Sequence, residues 1–316
     1  MASGREERIH PMIVAVAVHA IRLLDPSDAP AGLPGVQAVL RSEKLKLLDR
    51  LNQLGGSKAV LEAGQVLKTS ANAPMLAVLR NSDSVAVLVQ KLTDFNRYFH
   101  AQQRHAVVVQ TRRSLVLDHI GLDGEPPLPI ESLFTCGFYI ALLEDIGCRD
   151  LVCHLSGGGR TALAYRDGVA RPVDLTACGR WEFGWSEFNP RRPLPGIEAI
   201  DVPPDLAGGT LSERIHAVLS ADLARKWRVA DVAQRLGFSG RSLQRHLGSE
   251  GYRFSHLLTQ ARIDAARTML RDSEQPIATI GYVCGFADTA HFTRSFKTAT
   301  ALTPSAWRAA TAGSCV

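Results

Sequence analysis

The sequence predicts an α+β N-terminal domain followed by an all-α C-terminal domain with two helix-turn-helix subdomains joined by a long helix. Three observations predict this. A glycine-centred apolar pattern occurs twice near the C-terminus, about 48 residues apart. The first half mixes helix-period segments with short β-branched ones. Between the halves, residues 189–209 hold five prolines and three glycines, the composition of a linker.

Taken in order, residues 10–24 are predicted helical and 25–34 a loop. Val36, Val39, Leu40, Leu47, Leu48, Leu51 and Leu54 follow at helical spacings, and Gly55-Gly56 end that helix. A shorter helix runs from Ser57 through Leu67, and another covers 72–79. The clearest helix of this half carries Val85, Leu88, Val89, Leu92, Phe95 and Phe99 on one face, with Ser82 or Asp83 as cap. The period then changes. Residues 106–110 and 114–118 read as a hairpin, 126–130 lead into a helix to about 146, and 150–155 and 161–165 are strands around Gly157-Gly158-Gly159. That triple glycine precedes a strand and lacks a following Lys-Ser/Thr, so it is a turn and not a phosphate loop. Residues 181–188 are the most aromatic stretch. Thr210-Leu211-Ser212-Glu213 has capping-box spacing and opens a new helix. The expected partition is therefore 1–188, a linker 189–209, and 210–316.

Bulk properties narrow the function. A chain of 316 residues exceeds what one core usually supports. With 46% apolar and 21% charged residues, its composition is that of an ordinary soluble globular protein. The net charge of +5 is unevenly placed. From Leu211 onward there are 14 Lys and Arg against 8 Asp and Glu, whereas the preceding part has 22 against 23. A basic surplus confined to the repeat region fits a nucleic-acid footprint. The six cysteines (136, 148, 153, 178, 284 and 315) are irregularly spaced and form no Cys-x-x-Cys. They imply a reduced, cytoplasmic protein, with Cys284 in a core. The apolar run at 12–18 is too short to span a bilayer. No Ser/His/Asp, paired-carboxylate or metal-ligand motif is present, so no catalytic residue, metal or cofactor is expected, and the chain is expected not to be an enzyme.

The repeat carries the functional argument. The first copy is VADVAQRLGFSGRSLQRHL (229–247) and the second IATIGYVCGFADTAHFTRSF (277–296). In each, a short apolar stripe leads to Gly237 or Gly285, which can turn the chain in the left-handed conformation. Ser239 or Asp288 is suited to cap the next helix. Leu243 and Leu247, or Phe292 and Phe296, then face inward. The opposite face offers Arg241, Ser242, Gln244 and Arg245, or Thr289, His291, Thr293 and Arg294, side chains able to bond base edges and phosphates. Between the copies, Phe254, Leu257, Leu258, Ala261, Ala265, Met269 and Leu270 mark a helix of about 18 residues.

This stretch resembles the DNA-binding domain of the AraC/XylS family of bacterial transcription regulators. The resemblance lies in Ile280, Gly285-Phe286, Phe292-Thr293-Arg294-Ser295-Phe296-Lys297 and Pro304-Ser305-Ala306-Trp307-Arg308. Two positions depart from the pattern: Gly281 stands where the family has alanine, and Ala301 where it has a helix-ending glycine. The first should cost helix stability of roughly 1 kcal/mol, and the second should strain a turn. The resemblance implies that the eight polar side chains above meet double-stranded DNA, with Arg308 on a phosphate. The first half resembles, in outline, an arabinose-binding-type sensor domain. That implies a small-molecule effector, a homodimer, recruitment of RNA polymerase and, as commonest behaviour, activation, with no membrane partner. Trp181, Phe183, Trp185 and Phe188, with Tyr139 or His154, are the candidate effector contacts. Two alternatives stand beside this reading: a thiol- or alkylation-responsive regulator, and an enzyme fused to a DNA anchor.

Overall fold

A computed structural model of the chain describes residues 8–9, 11–27, 39–69, 74–99, 103–121, 127–190 and 209–311. The expected linker lies almost wholly outside the described residues. The described residues fall into two compact units. One is drawn from Met1–Leu76, Ser82–Leu88 and Phe99–Arg191, the other from Ala77–Asn81, Val89–Tyr98 and Arg192–Val316. No helix among them is long and apolar enough to cross a membrane.

The first unit is β-rich. Its chain order begins β1 (Arg8–Ile9), α1 (Pro11–Leu24), β2 (Val39–Leu40), α2 (Arg41–Ala63) and a 3-10 turn (Gly64–Thr69). Helix α2 is broken where Gly55 and Gly56 leave helical geometry, Gly56 at φ 67°, as the glycine pair predicted. Helices α3 (Pro74–Arg80) and α4 (Val85–Tyr98) follow, of which Ala77–Asn81 and Val89–Tyr98 are counted in the second unit, then β3 (Gln103–Gln110), β4 (Ser114–Gly121) and α5 (Pro129–Ile146). After α5 come β5 (Cys148–Arg149), β6 (Val152–Gly157), β7 (Arg160–Arg166), β8 (Val169–Ala170), β9 (Arg180–Gly184) and β10 (Glu187–Phe188). Six of these strands form one antiparallel sheet in the order β3-β4-β9-β6-β7-β8, while β5 pairs with β10.

Strand alternation decides what the sheet buries. Leu115, Leu117 and His119 of β4, Trp181 and Phe183 of β9, and Cys153 and Leu155 of β6 all point inward. They face α5, which is buried nearly all round and so has no solvent stripe. The other side of α5 meets α2 and the 3-10 turn. The approach is close because glycine faces glycine: a Cβ on Gly64 would lie 2.1 Å from the Gly137 carbonyl carbon. Glu131 of α5 is fully buried and receives Arg41 and Lys44 of α2, plus Gln103 Nε2 at 3.0 Å.

The second unit is helical: α6 (Leu211–Ser220), α7 (Val229–Arg235), α8 (Gly240–Ser249), α9 (Phe254–Asp272), α10 (Ile277–Val283), α11 (Thr289–Thr300) and α12 (Pro304–Thr311). The capping box opening α6 is present. Glu213 N donates to Thr210 Oγ1 (3.3 Å) and Thr210 N to Glu213 Oε2 (2.8 Å). Ile215, Val218, Leu219, Val232, Leu243, Leu247 and Ala261 form its first core.

Chain order placed everything up to residue 188 in one domain, yet Val89–Tyr98 belongs to this second unit. Its side chains give the reason. Lys91 is fully buried, 2.8 Å from Asp222, and donates to the carbonyl oxygens of Val78 (2.8 Å) and Asn81 (2.6 Å). Tyr282 Oη donates to the Lys91 carbonyl oxygen (3.0 Å), and Phe95 sets its ring edge-on to Tyr282 at 5.6 Å. The cap of α4 also differs from expectation. Val87 N donates to Ser84 Oγ (3.3 Å), so Ser84, beside the expected Ser82 and Asp83, caps the helix.

Candidate nucleic-acid interface

In the first helix pair, Val232 and Ala233 bury one face of α7. The chain turns through Gly237 at φ 75°, with Phe238 N donating to the Ala233 carbonyl (2.8 Å). Ser239 Oγ then accepts from Ser242 N (3.1 Å) and caps α8. With Leu243 and Leu247 locked into the core, Arg241, Gln244 and Arg245 stand exposed on the opposite face. Ser242 is half-buried and its hydroxyl accepts from Ser239, so it serves the turn.

The second pair repeats the construction. Ile280 and Cys284 are buried, Gly285 takes φ 80°, and Phe286 N donates to the Gly281 carbonyl (3.0 Å). Asp288 caps α11 by accepting from His291 N (2.7 Å), and that bond holds its carboxyl below the usual range. Phe292 and Phe296 are fully buried, ring to ring at 5.7 Å, and Trp307 closes on Phe296 at 5.8 Å. Thr289 and Arg294 are exposed and Thr293 half-exposed. His291 is turned partly inward: its Nδ1 accepts from Ala287 N (3.4 Å), and its ring meets Phe286 edge-on at 5.5 Å. Arg308 is half-buried and donates to the Gln275 carbonyl, which ties α12 to the α9–α10 loop. Lys297 is exposed three residues beyond Arg294, a face position that the sequence reading quoted in its motif but did not assign to DNA.

Helix α9, 19 residues and about 28 Å long, packs against α6, α10, α11 and α12 and puts Ala261 into the core of the first pair, so it joins the two pairs. The two departures from the family pattern now have consequences. Ala301 ends α11 at φ 63°, a left-handed conformation that costs a non-glycine residue energy. Gly281 is a packing requirement, since an added Cβ would lie 2.0 Å from Tyr98 Oη and 2.7 Å from Phe292 Cδ1. Gly281→Ala, although favourable for an isolated helix, is therefore expected to destabilise the helical unit by about 1–3 kcal/mol through overpacking. Urea unfolding of the variant checks this, and a gain in stability would refute it.

The effector candidates are brought together only in part. Tyr139, Trp181 and Phe183 meet in the core of the first unit, Tyr139 lying 5.4 Å from Trp181 and 6.1 Å from Phe183. Trp185 is buried apart from them, its Nε1 donating to the Arg112 carbonyl (3.1 Å). Phe188 sits on the small sheet opposite Cys148. His154 pairs with Glu182 on the sheet face turned away from Trp181. The sequence reading missed the imidazoles of the aromatic cluster, half-buried His105 and buried His119, stacked at 4.9 Å. Their signal was their place in strand alternation, His119 continuing the inward series of Leu115 and Leu117. Burial pushes the His105 imidazole well down and that of His119 to about 4. His119 Nδ1 lies 2.8 Å from Ser132 Oγ. Cys136 and Cys153 bring their Sγ atoms to 3.7 Å in the same core, where burial pushes the Cys136 thiol up, away from reactive thiolate.

Residues 232–310 match the family described as "Helix-turn-helix domain". Over 95 residues the chain is 32% identical to the HTH-type transcriptional activator FapR of Escherichia coli, covering 30% of this chain and 36% of that one. It is 33% identical over 97 residues to the urease operon transcriptional activator of E. coli, covering 31% and 33%. The chain thus spans about a third of the length of these curated relatives. Among solved structures, it is similar to a transcriptional regulator from Chromobacterium violaceum described by its AraC-type DNA-binding domain. There the identity is 27%, the TM-score 0.30, and the coverage 31% of this chain and 89% of that one.

Proposed function

We propose that the chain, whose residues 232–310 match the helix-turn-helix family model, is an AraC-type, sequence-specific, DNA-binding transcription activator that answers to a small-molecule effector. The observation that carries this is the paired construction of α8 and α11. Each buries two large apolar side chains and presents a polar, arginine-bearing face opposite them. Two such helices, held by α9, can enter successive major-groove segments about 34 Å apart. In this reading Arg241, Gln244, Arg245, Thr289, Thr293 and Arg294 meet bases or phosphates, and Lys297 adds a phosphate contact. Arg308 acts mainly by fastening α12. The names of the relatives support activation. The first unit, dimeric and without catalytic chemistry, receives the effector and controls contact with RNA polymerase.

The test is random-site selection followed by binding measurements over a range of salt. Arg245→Ala and Arg294→Ala are each expected to weaken the selected site by about 1–3 kcal/mol and to relax preference at one base pair. A uniform loss across all sequences would reassign the arginine to a phosphate. Failure to select any site, with a flat salt response, would end the regulator reading.

A further inference from the structure

A cavity of about 140 Å³ opens within the helical unit, among α4, the α6–α7 loop, α9 and the turn before α11. We propose that it binds a small oxyanion, a phosphate or a carboxylate, and thereby links α4 to the second DNA-facing helix. Its volume matches several waters at about 30 Å³ each, room for one such group. The charged groups of its lining are mostly cations: Arg97, Lys226 and Arg262, with Lys91 held by Asp222, are set against the carboxylate of Asp94.

The cations are poised rather than satisfied. Arg97 Nη2 (2.6 Å) and Lys226 Nζ (3.0 Å) share one oxygen, Asp94 Oδ1, and both side chains are more than half exposed. Each can turn to a second anion without leaving the first. Arg262 is half-buried and directs Nε and Nη2 at the Leu223 carbonyl, 3.3 and 3.1 Å away, with no carboxylate at ion-pair distance among the described residues. Burial lowers its pKa to about 10. A half-buried guanidinium hydrogen-bonded to a carbonyl, with Asp94 acting on it only beyond ion-pair distance, has room for a closer negative charge, which an anion in the cavity supplies. His291 completes the set. Because its Nδ1 accepts from Ala287 N, its Nε2 carries the proton and is a donor.

The consequence follows from where these groups are anchored. His291 stands on α11, three residues before Arg294, and Arg97 stands on α4. An occupied cavity therefore bridges the reading helix to α4. This coupling rests on the proposed regulator function, whereas the anion site itself does not.

The test uses the full-length chain without DNA. Inorganic phosphate and, separately, acetate are titrated against chloride at matched ionic strength, following the histidine ring signals by NMR and the heat by calorimetry. The expected result is saturable binding that shifts His291, with preference between the two anions naming the chemistry. Lys226→Met and Arg97→Gln, both at exposed positions, should each weaken binding about tenfold while leaving the melting temperature in place. Lys58→Met, on the other unit, should leave binding unchanged. A linear, unsaturable shift, or affinity unaffected by Lys226→Met and Arg97→Gln, would overturn the site. Selected duplex DNA then separates small anion from DNA backbone. Phosphate altering DNA affinity while both remain bound supports the coupling. Simple competition between them would show that the cavity holds a DNA phosphate and overturn the small-ligand reading. Absence of any selected DNA site would remove the regulator reading alone.

Discussion

Glu131→Ala is expected to cost the β-rich unit about 3–5 kcal/mol, the loss typical of breaking a buried ion pair from one side. The carboxylate has no exposed surface, and Lys44, which it binds, keeps only a tenth of its own. Removing it leaves that ammonium buried against Arg41 and strips Gln103 Nε2 of its acceptor. The exposed pair Arg160–Asp174 offers the contrast: Arg160→Ala should change stability by no more than about 0.5 kcal/mol. The pH dependence carries the same signature. Burial alone would raise the Glu131 carboxyl, but Arg41 and Lys44 outweigh it and hold it at about 2. An acid whose folded pKa lies below its unfolded one, near 4.5, stabilises the fold fully above the unfolded value. The contribution fades as pH falls through the folded one. The stability gap between the parent and Glu131→Ala should therefore be full at pH 7 and narrow between about 4.5 and 2. Urea unfolding at several pH values measures it. A gap independent of pH would mean that the carboxylate is not what the two cations serve.

What was legible in the chain was local. Gly237 and Gly285 announce turns because few other residues take positive φ, and Ser239 and Asp288 announce caps because their oxygens reach N–H groups three residues on. All four do so. The break at Gly55-Gly56 was readable on the same ground. The sheet order was not, because β4 pairs with β9 some sixty residues away, and no local pattern records that register. The role of Lys91 was not legible for a related reason. A lysine on a helix ordinarily keeps its ammonium in water, whereas Asp222 and two carbonyl oxygens compensate this one in a core. Gly281 was the one trace of this packing in the repeat. Seen alone, it was a defect in a short helix, and Tyr98 together with Phe292 shows what fills the space.

Lys91→Ala is expected to destabilise the helical unit by about 3–5 kcal/mol, because it takes a buried cation from Asp222 and a donor from the carbonyls of Val78 and Asn81. The effect should appear in the helical unit, although residue 91 lies more than a hundred residues before that unit's first repeat. The same geometry bears on any attempt to isolate the DNA-facing part. A fragment beginning at residue 210 keeps every residue of both helix pairs but loses Lys91, Phe95 and Tyr98. It thereby removes the acceptor of the Tyr282 hydroxyl and the ring packed on Tyr282, and it opens the space above Gly281. Hydrogen exchange should find α10 less protected in that fragment than in the full chain, with α8 little changed, since α8 packs in the other core. Equal protection of α10 in both would show that the second helix pair is stable without α4. In that case α4 would be a passenger on the unit rather than part of its core.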